Sequence, residues 1–253
     1  MNLDRASSPD RKTSAATARQ EAPSGSYGRR RGRKLRPRQA DLLVSLLPKV
    51  QLDLSQRIED PGALFGSFIP SEIRLEIGFG GGEHLISEAL RQPHIGFLGC
   101  EPFVNGIAKA LAGIAANDVA NIRLHPGDAR QLIAALPARS IGRVDLLFPD
   151  PWLKRRQRKR RFLSDATLSA LAQIMHEGAE LRFATDIDDY ADWTLSRVLR
   201  CREFAWNAET AGDWLKPWDA WPGTRYEARA IREGRRPVYL TFIRRWMENR
   251  PLR

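Results

Sequence analysis

The chain has 253 residues, 42% hydrophobic and 28% charged, with a formal net charge of +11. That size and balance fit one α/β domain with a tail, or two small domains, built on a real apolar core. No apolar run reaches spanning length, and the polar N-terminus lacks the apolar stretch of a secretory signal.

Residues 1–40 hold eleven Lys/Arg against three acids, a net +8. Their Arg, Ser and Ala content resembles a transit peptide, but Asp4, Asp10 and Glu21 interrupt it with no amphipathic period, so no organellar address is expected. Residues 151–161 carry seven cations and no acid, so these two segments exceed the whole excess and the rest of the chain is net −4. Such a footprint suits a polyanion, and neither segment has the apolar face of an interfacial membrane helix. Cys100 and Cys201 lie far apart, and the four histidines are scattered. No metal site or disulfide framework is expected, and a reducing cytoplasm is the default compartment.

Residues 1–38, poor in apolar side chains, read as a disordered basic tail, and 39–253 as the folded domain. Asp41 is placed to cap a short helix ending before Pro48. From residue 70 short apolar strands alternate with amphipathic helices. Strands are expected at Ile73–Ile77, Ile95–Cys100, Asn121–His125, Arg143–Phe148, Glu180–Ala184 and Val238–Ile243. Helices are expected at Glu83–Arg91, Val104–Ala116, Ala129–Leu136, Thr167–Glu177 and Asp189–Arg200. This alternation predicts a Rossmann-like α/β fold, a mostly parallel sheet with helices on both faces. Residues 205–236, with Trp206, Trp214, Trp218 and Trp221, have no clear period and read as a covering insertion whose tryptophans mostly pack.

Ligands of such a sheet bind beyond the carboxyl ends of its strands. Five of those ends carry an acid: Glu76, Glu101, Asp128, Asp150 and Asp186. Asp128 and Asp186 also suit helix N-caps. The glycines of Gly78-Phe79-Gly80-Gly81-Gly82 permit a tight turn and close backbone approach. Glu101 follows Gly82 by 19 residues, at the next strand end, where a carboxylate can accept ribose hydroxyls. The dinucleotide fingerprint needs a third glycine where Glu83 stands, and an acid there opposes a pyrophosphate. The loop therefore favours an adenosine ligand that is cationic rather than phosphorylated, a description that S-adenosylmethionine meets. Glu76 is the natural partner of its ammonium end.

The stretch Phe148-Pro149-Asp150-Pro151-Trp152 holds one carboxylate between two prolines, which restrict their neighbours and stiffen the turn. It leads into Lys154, Arg155, Arg156, Arg158, Lys159, Arg160 and Arg161, a cationic apron suited to phosphates. Trp152 can stack on a base or wall a pocket.

Six blocks in order carry a resemblance: Glu76–Leu85, Glu101-Pro102, Gly127-Asp128-Ala129, Phe148–Trp152 with Lys154 and the basic run, Thr185-Asp186, and Thr224-Arg225-Tyr226-Glu227. Over roughly residues 40–250 the chain resembles the bacterial tRNA (guanine-N7-)-methyltransferases. The resemblance implies a class I methyltransferase fold and methyl transfer from S-adenosylmethionine to N7 of the variable-loop guanosine, position 46, of tRNA. It implies that Glu76, Glu101, Asp128 and Asp150 line the cofactor beside Gly78 and Gly80, that Asp150 is catalytic, and that Lys154, Asp186, Thr224, Arg225, Tyr226 and Glu227 meet the substrate. Many members carry histidines where Leu153 and Gln157 stand, which leaves positive charge as the surviving feature of that run. Three other readings fit parts of the sequence. An amino-group methyltransferase would use Asp-Pro-Trp to accept from an exocyclic amine. A non-catalytic RNA-binding module could use the same scaffold, although acids at all five strand ends argue against it. A nicotinamide oxidoreductase is opposed by Glu83.

Overall fold

The computed structural model describes Gly28 and residues 30–246. Most of the expected tail lies outside the described residues, but its last part has defined partners. Arg30 O accepts from Val104 N at 3.0 Å. Gly32 N donates to Asn105 Oδ1, and Asn105 Nδ2 donates to Arg33 O, both at 2.7 Å. The first helix, α1 (Pro37–Ser45), begins before Asp41, because a proline at the first helical position has its φ preset and no amide to leave unbonded. It is followed by the short α2 (Leu47–Val50).

The alternation then runs β1 (Glu72–Ile77), α3 (Glu83–Arg91), β2 (Ile95–Cys100), α4 (Val104–Asn117), β3 (Ile122–His125), α5 (Ala129–Ala135) and β4 (Ile141–Leu147). After a 3-10 turn at Arg155–Arg160 come α6 (Asp165–Ile174), β5 (Met175–Thr185) and α7 (Asp188–Val198). The chain closes with β6 (Phe204–Trp206), α8 (Gly212–Leu215), α9 (Arg225–Arg232) and β7 (Val238–Arg244). α6 starts and stops earlier than its apolar pattern suggests. Ser164 and Thr167 form a reciprocal cap that fixes its start, and Met175 leaves the helix to pair with Ile141 of β4.

The sheet order is β3-β2-β1-β4-β5-β7-β6, with β7 antiparallel to both β5 and β6. The chain moves outward from β1 through β2 to β3, then returns to pair β4 against β1. That reversal opens a crevice between the carboxyl ends of β1 and β4.

The two faces of the sheet differ in chemistry. Leu75 and Ile77 of β1 join α5, α6 and α7 in one apolar core, while Phe97 of β2 packs with α3 and α4 in a second on the opposite face. On the α3 face β1 and β4 place Arg74 beside Arg143 and Glu76 beside Asp145. This polar row continues into Arg182 of β5 and Thr241 of β7. Trp218 covers it, donating Nε1–H to Thr241 Oγ1 at 2.8 Å with the Arg182 guanidinium 5.2 Å from its ring. Among the described residues no helix is long and apolar enough to cross a membrane.

Candidate active site

The crevice holds a cavity of about 360 Å³ whose lining includes Gly78, Gly80, Glu101, Asp128, Asp150, Trp152 and Tyr226. Three of the five strand-end acids thus converge on one space with the glycine loop.

The loop is shaped by left-handed backbone at Gly78 (φ 74°), Gly80 (57°) and Gly82 (78°), which side-chain-bearing residues rarely adopt. Glu101 fixes its height: Oε2 accepts from Gly80 N at 2.8 Å, and Oε1 accepts from Phe103 N at 2.9 Å. Burial pushes the Glu101 carboxyl up, and those two amides oppose the rise. Behind the loop Gly106 of α4 leaves no room for a side chain, since a Cβ there would lie 2.3 Å from Gly80 O. Gly106 does not stand out in the sequence, where it is one more small residue in an apolar helix.

Asp128 caps α5, accepting from Arg130 N at 2.9 Å, and pairs with Arg130 Nη1 at 3.0 Å. Its capping and its place in the cavity coexist. The Pro149-Asp150-Pro151 turn is bracketed by Phe148 (φ 48°) and Trp152 (φ 44°). Two bulky residues in this region cost of order ~1–3 kcal/mol each, a strain that persists only where the surroundings over-determine it. Asp150 stands at the cavity mouth, open to solvent on one side and crowded enough by the walls that desolvation raises its carboxyl pKa. Arg160 lies 4.9 Å from the Trp152 ring centroid and so covers one face of that indole.

The remaining expected residues lie elsewhere. Glu76 is buried, with Oε2 2.8 Å from His84 Nδ1, outside the cavity lining. Asp186 accepts from Arg235 Nε at 2.5 Å. Lys154, Arg155, Arg156 and Lys159 are exposed.

Two of the expected residues are buried and bonded within the protein. Arg161, assigned with its neighbours to the RNA backbone, is 1% exposed. It donates to Pro151 O at 2.8 Å and Asp189 O at 3.0 Å, and also bonds the Asp189 carboxylate. It ties the Pro-Asp-Pro turn to α7. Glu227, expected at the substrate, is 8% exposed and used internally. It accepts from Thr224 N at 3.1 Å, Trp221 Nε1 at 2.7 Å and the Tyr239 hydroxyl. Thr224 completes a capping box with it, so these two residues hold α9 in place while Arg225 and Tyr226 face outward.

Arg225 lies over the glycine loop, 3.6 Å from the Glu83 carboxylate, which also binds Lys109. Burial works against the Glu83 charge, but Lys109 and Arg225 outweigh it and lower its pKa. An acid so compensated repels a pyrophosphate less than its position in the sequence suggests.

A family model described as "Putative methyltransferase" matches residues 70–240. The chain is 54% identical to a tRNA (guanine-N(7)-)-methyltransferase of Rhodopseudomonas palustris (strain BisB18), over 91% of each chain. It is 50% identical to the protein of that name from Bradyrhizobium diazoefficiens, covering 95% of this chain and 99% of the relative. Among solved structures, the 16S rRNA methyltransferase KamB superposes with a TM-score of 0.55 at 19% identity, covering 74% of this chain and 95% of that one. TrmN from Thermus thermophilus gives 0.50 at 14% identity, covering 80% and 53%. These two likenesses concern the fold.

Proposed function

The chain belongs to the tRNA (guanine-N(7)-)-methyltransferase family, and from that membership and its cleft we propose that it methylates N7 of the variable-loop guanosine, position 46, of tRNA, using S-adenosylmethionine. The observation that carries the reading is the placement of Asp150, in a strained proline turn, within the same cavity as Gly78, Gly80 and Glu101.

The cavity suits the cofactor. Its left-handed glycines let a ligand approach the backbone, its acids Glu101, Asp128 and Asp150 favour a cation, and its size is in the range of small-molecule sites. When bound, S-adenosylmethionine supplies an electrophilic methyl on a positively charged sulfur. Glu101, whose oxygens each keep a lone pair beyond the loop amides, accepts the ribose hydroxyls. Asp128 closes the side of the cavity towards α5. Glu76, held from behind by His84, serves the ammonium end through water.

Guanine N7 bears an in-plane lone pair and no proton, so no general base is required. The protein contributes position and field. Positive charge moves from sulfur onto the purine during transfer, and the fixed Asp150 carboxylate stabilises it there. The same carboxylate accepts from the N1–H and N2–H₂ edge, selecting guanine over adenine. Lys154, Arg155, Arg156 and Lys159 meet phosphates, and Arg158 and Arg160 add charge behind them. Arg225 and Tyr226 on α9 contact the RNA at the rim, with Thr224 and Asp186 shaping it. The enzyme is expected to work in the cytoplasm with its tRNA.

Substituting Asp150→Asn tests the assignment. Turnover should fall ~10²–10³-fold, the usual cost of one preorganised electrostatic group, while tRNA and S-adenosylmethionine still bind. Full turnover with normal binding would remove Asp150 from the mechanism.

A further inference from the structure

A second cavity of about 500 Å³ lies between α5 and α6. Among the described residues no acid lines it, in contrast to the catalytic cavity. Its walls carry Ile133 on one helix and Ala170 and Ile174 on the other, beside the polar Thr167 and Gln173, while Arg57, Arg130 and Lys159 also border it. An apolar slot of this size combined with several cations matches a flat aromatic ring carrying a phosphate.

Two features tie it to the catalytic machinery. Lys159 belongs to the same 3-10 turn as the exposed Arg155 and Arg156, so a polynucleotide crossing that turn passes beside the cavity. Arg130 borders both cavities, pairing with Asp128 and standing 5.6 Å from the Phe162 ring, which itself lines the catalytic space.

We propose that this cavity takes up an unstacked nucleotide of the bound tRNA, its base between α5 and α6 and its phosphate on Arg57 and Lys159. This rests on the tRNA methyltransferase reading and extends it to a second contact with the same substrate. The base is held by contact with aliphatic side chains, so the site tolerates different bases and contributes to tRNA affinity rather than to the chemistry.

Ala134 lines the cavity from α5 and takes no part in the catalytic cleft. Ala134→Trp should raise KM for tRNA about ten-fold, the scale of burying the apolar surface of one base, with kcat and S-adenosylmethionine affinity unchanged. A folded variant with wild-type KM would overturn the proposal. If the tryptophan prevents folding, Ala134→Cys in a Cys201→Ser background replaces it. Saturating tRNA should slow alkylation of that thiol at least five-fold. No protection by tRNA, or protection by adenosine monophosphate without protection by tRNA, would overturn the proposal. Wild-type protein assayed in parallel separates the two claims. If it fails to methylate tRNA the parent reading falls, and if it methylates tRNA while Ala134→Trp matches it only the second cavity falls.

Discussion

Glu76 Oε2 and His84 Nδ1 meet at 2.8 Å beneath the glycine loop, with each side chain only 5% exposed. Burial raises the Glu76 pKa, with His84 opposing. Burial alone would depress His84, but the charge and hydrogen bond of Glu76, helped by Asp145 and Glu88, raise it instead. Trp221 holds the imidazole from the other side, ring centroids 5.0 Å apart, and donates to Glu227 under α9. One chain of contacts therefore joins the end of β1 to the helix that carries Arg225 and Tyr226.

Both members of this pair bind protons more tightly in the folded protein. For His84 the stabilisation is complete below its ordinary value of 6.5 and disappears as pH rises through the elevated folded value. His84→Asn should therefore lower Tm most at mildly acidic pH, and the gap to wild type should shrink as pH climbs above 6.5. A gap that stays constant, or widens with pH, would contradict this.

The neighbouring ionic cluster has the opposite sign. Arg143 bonds Glu88 at 2.6 Å and Asp145 at 2.9 Å. Burial works against the Glu88 charge, yet Arg143 and Arg91 bring its pKa down to about 2. Its contribution is present above 4.5 and lost as pH falls through about 2. Glu88→Gln should cost ~3 kcal/mol near neutral pH, because it leaves Arg143 buried with one partner fewer, and should lose little at the acid end. Denaturant titration at both pH values checks this.

The basic run divides into inward and outward members, which makes their substitution effects separable. Arg161→Ala should lower Tm, because three acceptors lose their donor and the Tyr190 ring loses its cation. The folded variant should keep the wild-type salt dependence of tRNA binding. Replacing Arg155 and Arg156 should leave Tm unchanged and flatten the log–log salt slope by up to ~0.7 for each phosphate no longer neutralised. Equal salt slopes for both variants would refute the division.

Gly106→Ala tests how the loop is built. The added Cβ would meet Gly80 O at 2.3 Å, so the loop must shift away from Glu101. S-adenosylmethionine affinity should fall about ten-fold, in line with the ~1–3 kcal/mol cost of overpacking. Titration calorimetry reads it directly, and an unchanged affinity would show that the loop does not hold the cofactor.

The central alternation was legible because each strand is a short apolar run and each helix an amphipathic one, so Ile95–Cys100 and Glu83–Arg91 appear at the expected bounds. β6 and α9 were missed for identifiable reasons. β6 is three residues long. α9 buries little beyond Glu227 and Ala230, so its polar sequence shows no apolar stripe, and its start is set by the Thr224–Glu227 capping box. Within the site, the strand-end position brought out Glu101, Asp128 and Asp150, since topology alone sends them to the crevice. Direction within a run of like residues was not legible. Arg161 and Arg160 are adjacent in sequence, and only the packing of α7 decides which one turns inward. The same holds for Glu227, whose partner Tyr239 is on β7.

The most direct measurement uses two tRNA transcripts that differ at the variable-loop guanosine, one carrying guanine and one carrying 7-deazaguanine, which replaces the N7 lone pair with C–H. Both are incubated with the enzyme and methyl-labelled S-adenosylmethionine, and the products are digested to nucleosides. The account predicts 7-methylguanosine from the first transcript, and no label in the second although it binds equally well. Label retained in the 7-deaza transcript, or recovered as a base methylated on an exocyclic amine, would contradict it.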